Sequence, residues 1–214
     1  MSASYAPTQA PARTPKGERT AERILDAAEE LFAEHGYAGT TLRDVARRVG
    51  VRIPSLYNHF GSKEALYAAV LDRGIGPVLA TLGEFVDSGS ERYRDSALVV
   101  ARVMEVLGRH PHLPRLVQHE ILSGGQHLTP MLRDWIGPLF ARAREILEAG
   151  PAARHWPADE IPHLVLAFYH VAVGYFTMAP LYGQLGGGDL LDREALARQT
   201  HFFTELVRRL LPED

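Results

Sequence analysis

The 214-residue chain contains no cysteine and only two lysines, Lys16 and Lys63. Without cysteine it has no disulfide, no thiolate nucleophile, no cysteine-ligated zinc and no thiol-based redox sensor. The N-terminus lacks the basic and apolar segments of a secretory signal, so we expect a cytoplasmic protein. Apolar residues make up 46% and charged residues 23% of the chain, a composition typical of a globular protein whose core needs no metal or disulfide.

The chain also lacks the sequence motifs of common enzymes and metal sites. It has no nucleophile elbow, phosphate-binding loop or paired-acid motif, so we assign no catalytic residue and no cofactor. Ten histidines are present, and the closest grouping is His110, His112 and His119 with Glu120. No HExxH motif occurs, and His110 and His112 flank a proline at a helix boundary. We therefore predict no metal site.

Apolar residues recur with helical spacing along most of the chain, and no segment resembles a strand meander. The pattern predicts an all-α fold with a disordered arm at residues 1–17, a three-helix domain at 18–64 and a larger helical domain at 65–214. The arm contains three prolines and no apolar periodicity. A helix from residue 62 is expected to kink near Gly74–Pro77. The later helices are predicted at about 97–107, 111–122, 129–147, 159–181 and 192–211.

Two helices of the first domain have the spacing of a helix-turn-helix. Thr41 and Asp44 form an acidic capping box that starts one helix, and Gly50 ends it. Pro54 lies in the first turn of the next helix, which is about two turns long. Between residues 40 and 63 the chain has five basic residues and one acid, an excess that favours contact with a polyanion.

The segment from Thr20-Ala21-Glu22-Arg23-Ile24 to Lys63-Glu64-Ala65-Leu66 resembles the DNA-binding domain of the tetracycline-repressor (TetR) family of bacterial transcriptional regulators. The resemblance covers about residues 18–70, including Gly36-Tyr37, Thr40-Thr41-Leu42-Arg43-Asp44-Val45-Ala46 and Leu56-Tyr57-Asn58-His59-Phe60. It implies a homodimer whose last two helices form the interface and whose C-terminal helical domain binds a small-molecule ligand. The implied function is repression of transcription at a pseudo-palindromic double-stranded DNA operator, with release when the ligand binds.

The second helix of the motif must expose polar groups to DNA while apolar residues hold it on the domain. Leu56 and Phe60 are the apolar residues expected to attach this helix to the domain. The candidate DNA contacts are Thr40, Thr41, Arg52, Pro54, Ser55, Tyr57, Asn58, His59 and Lys63. The resemblance implies that Thr41, Tyr57, His59 and Lys63 meet the DNA backbone. Arg52 is the candidate guanine reader and Asn58 a candidate adenine reader.

Residues 161–188 contain no Asp, Glu, Lys or Arg, and His163–Tyr182 is long enough to span a membrane. We predict no membrane span, because the stretch contains histidine, glycine and proline and has no basic anchors. A helix that is apolar on every side is expected to be buried on every side, so one face would pack within the subunit and another against a partner. We expect Val173 to be exposed in the monomer and covered in the dimer.

The candidate residues of a ligand pocket in the second domain are Met104, His119, Trp135, Tyr169, His170 and Phe176. They are mostly aromatic or thioether side chains with few polar groups, which predicts an apolar or amphipathic small-molecule effector. Ordinary core packing also accounts for each of them singly. Two other functions remain open at this point: a helical ligand-binding protein without operator function, and a helical enzyme that uses its histidines.

Overall fold

The computed structural model describes residues 15–87, 96–127 and 155–211, together with the helical positions 137, 141, 144 and 145. Its regular secondary structure over these residues is helical throughout, which confirms the all-α prediction. The helices with defined bounds in that part of the chain are α1 (Pro15–Gly39), α2 (Leu42–Val49), α3 (Ile53–His59), α4 (Lys63–Asp87), α5 (Ser96–Arg109), α6 (Leu113–Leu122), α7 (Ile161–Gln184) and α8 (Arg193–Leu210).

Two sequence predictions differ from these bounds or fall outside them. Helix α1 begins at Pro15, so the predicted arm is wrong for its last three residues, and residues 1–14 lie outside the described range. Proline is well tolerated in the first turn of a helix, which is why it does not delay the start of α1. The helix predicted at 129–147 lies outside the described residues except at the four single positions.

Local sequence explains how the first three helices begin and end. Gly36 interrupts α1 with φ 69° and ψ 175°, a backbone conformation that favours glycine. Thr41 caps α2 by accepting a hydrogen bond from the Asp44 N–H, and Gly50 ends α2 in the left-handed conformation. Pro54 lies in the first turn of α3, as predicted.

Among the described residues, an apolar core extends from α1 to α8. Helix α1 packs on α2, α4 and α6, while α4 also contacts α5, and α6 contacts α7. Helix α8 packs mainly on α5. The α4–α6 contact depends on Gly74, because a Cβ atom there would lie 2.6 Å from Leu113 Cδ1. Helix α4 continues through the Gly74–Pro77 segment to Asp87.

Helix α7 has one buried face and one exposed apolar face. Ala172, Val173 and Phe176 are buried in the monomer, whereas Leu166 and Met178 are about half exposed. The expectation that Val173 is exposed in the monomer is therefore wrong. An all-round apolar sequence has no amphipathic stripe, so periodicity alone does not select the inward face.

Two described helices are long and apolar enough to cross a membrane by length and composition alone. One is the Lys63–Glu84 part of α4, with a mean hydropathy of 1.3, and the other is α7, with a mean hydropathy of 1.6. The core helices of globular proteins meet the same criteria, and α4 supplies several residues to the core described above.

Candidate DNA interface and ligand-binding domain

The exposed face of α3 carries most of the predicted DNA contacts. Leu56 and Phe60 are buried and attach the helix to the core, as predicted. The outward-facing side chains of α3 and of its N-cap are those of Arg52, Pro54, Tyr57 and Asn58, with Ser55 and His59 half-buried beside them. This seven-residue helix thus presents polar groups on a surface that an apolar underside holds in place, as reading base edges in a major groove requires.

Thr40 and Thr41 differ in their surroundings. Thr40 is buried, and its hydroxyl lies 3.0 Å from both the Leu31 and the Gly36 carbonyl oxygens of α1. The structure therefore places this side chain inside the domain, away from the surface that carries the other candidates. Thr41 is exposed, and its backbone N–H donates to Asp44 Oδ2 at 3.1 Å. The Thr41 hydroxyl also donates to the Asp44 carboxylate, and this bond lowers the pKa of Asp44.

Lys63 begins α4, where it lies over the ring of Tyr37. The Lys63 Nζ atom is 4.2 Å from the ring centroid, within the range of a cation–π interaction. The Tyr37 hydroxyl donates to Glu64 Oε1 at 2.7 Å, which lowers the pKa of Glu64 to about 2. Burial, followed by this hydrogen bond, raises the pKa of Tyr37 to about 12.

The basic residues counted in the sequence are not equivalent in the structure. Arg48 pairs with Glu30 at 2.7 Å and Arg47 with Asp44 at 3.5 Å. Within the described residues Arg43 and Arg52 form no ion pair, and both are exposed. Arg52 occupies the N-cap position of α3 without a side-chain capping bond, which leaves its guanidinium available for another partner.

The predicted ligand residues do not gather around one described cavity. Met104 and Phe176 are buried in the core, whereas His119 and His170 are exposed. His119 lies beside the α1 break, because a Cβ atom at Gly36 would be 3.9 Å from its Nδ1. Trp135 lies outside the described residues.

Tyr169 stands apart from the other ligand candidates. Its hydroxyl is buried and has no hydrogen-bond partner within the part of the chain that the structure describes. Burial raises the pKa of this phenol, so the group is neutral at physiological pH and able to donate. A buried hydroxyl in this state lacks the partner that most buried polar groups have.

One cavity of about 270 Å³ lies against the N-terminal half of α7, and none of the five predicted ligand residues that the structure describes lines it. Its described lining residues are Ala141, Arg144, Ile161, Pro162 and Val165. Pro162, Val165 and Tyr169 share one face of α7 by their spacing of three and four residues. The apolar stretch before Tyr169 was the available sequence signal, while the cavity itself depends on how α7 meets residues 141 and 144.

Two of the described histidines that follow α5 and α6 contact buried glutamates. His110 Nδ1 lies 3.0 Å from Glu29 Oε2, and His127 Nδ1 lies 3.2 Å from Glu120 Oε1. Within the described residues no three His, Asp or Glu side chains are grouped closely enough to hold a metal. The His110–His119 grouping of the sequence is thus divided, and Glu120 binds other donors.

Comparison with known proteins agrees with this architecture. Residues 24–70 match the family model of bacterial regulatory proteins, tetR family, and residues 97–207 match the tetracyclin repressor-like C-terminal domain. The transcriptional regulator RutR of Escherichia coli is 31% identical over 197 residues, which cover 89% of this chain and 87% of RutR. The transcriptional repressor NicS of Pseudomonas putida is 26% identical over 203 residues, covering 92% of this chain and 94% of NicS.

Solved structures show the same fold. A TetR-like regulator from Rhodococcus sp. RHA1 has a TM-score of 0.64 at 17% identity, covering 94% of this chain and all (100%) of that chain. The fatty acid degradation regulator FadR of Bacillus halodurans has a TM-score of 0.60 at 15% identity, covering 94% of this chain and 96% of that chain.

The helix-turn-helix on an all-helical body defines a DNA-binding transcriptional regulator. The two family models together span most of the described chain. The chain belongs to the TetR family, whose members join a DNA-binding helix-turn-helix domain to a ligand-binding C-terminal domain and act as dimers.

Proposed function

We propose that this protein is a cytoplasmic, non-enzymatic repressor that binds a pseudo-palindromic operator as a homodimer and leaves it when a small molecule binds. The observation that carries the DNA role is the exposed polar face of α3 above buried Leu56 and Phe60. For release, the ligand must bind the DNA-incompetent state more tightly, and operator DNA must weaken ligand binding by the same factor.

Within the interface we assign sequence reading and backbone binding to different residues. Arg52 reads a guanine because a free guanidinium can donate to both O6 and N7, and Asn58 reads an adenine. Thr41, Tyr57, His59 and Lys63 bind the backbone, with Ser55 and the Pro54 ring as further contacts beside the bases. Thr40 contributes through the fold of the α1–α2 connection and not through its buried hydroxyl.

The exposed apolar residues of α7 and α8 supply the dimer interface in this proposal. Leu166, Met178 and Phe202 are each half exposed or more in the monomer, and the exposed part of α7 carries no Asp, Glu, Lys or Arg. Apolar area of this kind is stabilised when a second copy covers it. A Leu166→Asp variant should sediment as a monomer or aggregate. A soluble Leu166→Asp dimer with the stability of the wild type would contradict the assigned face.

The effector in this proposal is an apolar or amphipathic molecule that binds beside α7. Three of the described lining residues, Ile161, Pro162 and Val165, are bulky apolar residues of this helix. The buried Tyr169 hydroxyl on the same helix face offers one orienting hydrogen bond. A thermal-shift screen should find apolar or amphipathic stabilisers that also release DNA, and stabilisation by metal ions or polyanions alone would reject this effector class.

The DNA role is tested by selecting bound sequences from random duplex DNA and measuring affinity as a function of salt. Lys63→Ala should weaken binding to all sequences and reduce the salt slope by roughly 1–2 units for a dimer, because one phosphate contact per subunit is lost. Arg52→Ala should relax preference at one base pair in each half-site. Arg102→Ala removes the same charge from an exposed side chain of α5 and should leave the slope unchanged. An unchanged slope for Lys63→Ala would reject the backbone role of Lys63.

A further inference from the structure

The contact between Lys63 and Tyr37 limits where the lysine ammonium can lie. The Tyr37 ring is 4.2 Å from Nζ, and its hydroxyl is bonded to Glu64 at 2.7 Å, so the ring is attached to the residue that follows Lys63. A lysine side chain ordinarily loses rotamer entropy when it binds a phosphate. A lysine that already rests on a fixed ring loses less of that entropy on binding.

Tyr37 is itself contacted by two rings from other segments. The Tyr67 ring of α4 lies edge-to-face with it, with 4.9 Å between centroids, and the His127 ring lies 4.0 Å away. His127 belongs to the segment that follows α6. The position of the Tyr37 ring therefore depends on α4 and on the chain beyond α6, and not only on the α1–α2 connection.

The buried carboxyl group of Glu120, near the end of α6, accepts hydrogen bonds from both Tyr67 and His127. Glu120 Oε2 accepts the Tyr67 hydroxyl at 2.9 Å, and Oε1 accepts the His127 backbone N–H at 2.6 Å. Glu120 is 3% exposed. An acid in this position loses solvation free energy that an apolar side chain would not lose, so packing alone does not account for it.

We propose that Tyr37 is a positioning residue that holds the Lys63 ammonium for the DNA backbone, and that Glu120 fixes Tyr37 through Tyr67 and His127. This inference rests on the proposed function, in which Lys63 binds a phosphate. It makes the end of α6 a control point of DNA affinity, because a shift that separates Glu120 from Tyr67 frees the Tyr37 ring and then the lysine. The α3 side chains are not part of this contact chain, so base preference stays unchanged.

Salt-dependent binding of Tyr37, Tyr67 and Lys63 variants to the selected duplex tests the proposal. Tyr37→Leu removes the ring and should reduce affinity and salt slope toward the values of Lys63→Ala. Tyr37→Phe keeps the ring and should retain most of the wild-type affinity and salt slope. In the Lys63→Ala background, Tyr37→Leu should cause little additional loss, because Tyr37 acts through the lysine.

The outcomes distinguish a failure of the Lys63 backbone contact from a failure of the positioning role of Tyr37. If Lys63→Ala leaves the slope unchanged, the proposed backbone contact fails. If Lys63→Ala lowers the slope but Tyr37→Leu does not, or if the two losses add fully, Tyr37 has a structural role only and the positioning proposal is rejected.

A second measurement follows the Lys63 side chain directly in the protein without DNA. The ε-methylene group of Lys63 adjoins the Nζ atom that lies over the Tyr37 ring, so its proton NMR signals should be shifted upfield in the intact protein. Tyr67→Phe keeps the packed ring but removes the hydrogen bond to Glu120, and it should move these signals toward their random-coil position and lower DNA affinity. Unchanged Lys63 signals in Tyr67→Phe would overturn the link from Glu120 to the lysine.

Discussion

Arg73 joins α1 to α4 through three carboxylates, and its removal should cost far more free energy than the loss of surface ion pairs. Its NH1 lies 3.3 Å from Glu22 Oε2 and 2.7 Å from Asp26 Oδ1, and its NH2 lies 2.8 Å from Glu29 Oε2. The Glu22 and Asp26 side chains are 64% and 66% exposed, whereas Glu29 is 5% exposed. His110 Nδ1 is also 3.0 Å from Glu29 Oε2.

The exposures of the three carboxylates determine how much free energy of unfolding should be lost when Arg73 is replaced. Each exposed pair contributes ~0–1 kcal/mol, since water screens it. Removing the partner of a buried charge costs ~3–5 kcal/mol, because the remaining charge is left in a poorly solvating environment. Arg73→Met should therefore destabilise the protein by ~3–5 kcal/mol, nearly all of it through Glu29. Glu22→Ala should cost less than ~1 kcal/mol.

Urea unfolding followed by circular dichroism measures these differences, at one protomer concentration because the stability of a dimer depends on concentration. The double variant Glu29→Met/Arg73→Met should recover most of the stability lost in Arg73→Met, since no buried charge then remains unpaired. It also removes Arg73 Nε, a buried donor without a hydrogen-bond partner in the described chain. A loss for Arg73→Met no larger than that for Glu22→Ala would refute the reasoning.

Three further predictions concern single positions. Gly74→Ala should destabilise the α4–α6 contact by ~1–3 kcal/mol despite its better helix propensity. Gly83→Ala in the same helix, where no atom of the described residues lies within 4 Å of the added Cβ, should stabilise the protein by up to ~1 kcal/mol in thermal unfolding. Thr41→Ala should cost ~1 kcal/mol by removing the α2 cap, and Thr41→Ser should not. Glu64 stabilises the fold above its unfolded pKa, and this contribution is lost as the pH falls from about 4.5 through about 2. Tyr37→Phe should raise the Glu64 pKa toward 4.5 in an NMR titration, and an unchanged value would show that another group lowers it.

Local sequence signals predicted the helix boundaries of the DNA-binding domain well. The Thr41–Asp44 capping box, the Gly50 stop and Pro54 in the first turn of α3 all depend on neighbouring residues, and all three occur as expected. The positions of α5 to α8 followed from apolar periodicity in the same way, whereas the helix predicted at 129–147 stays a prediction. The burial of Thr40 and Val173 could not be predicted from local signals, because it depends on which way each side chain faces after the helices pack.

The buried acids mark the limit of prediction from the sequence. Glu29 follows Leu25 by four residues and Glu120 follows Leu116 by four, so each acid adjoins an apolar helix face by its spacing. A charge at such a position predicts a buried partner, since an unpaired one is too costly to keep. The partners, Arg73 for Glu29 and Tyr67 for Glu120, are 44 and 53 residues away in the chain. No periodicity extends over that distance, so both pairings required the fold. The Glu29–Arg73 pair joins the two domains, whereas Tyr67 and Glu120 both lie in the second.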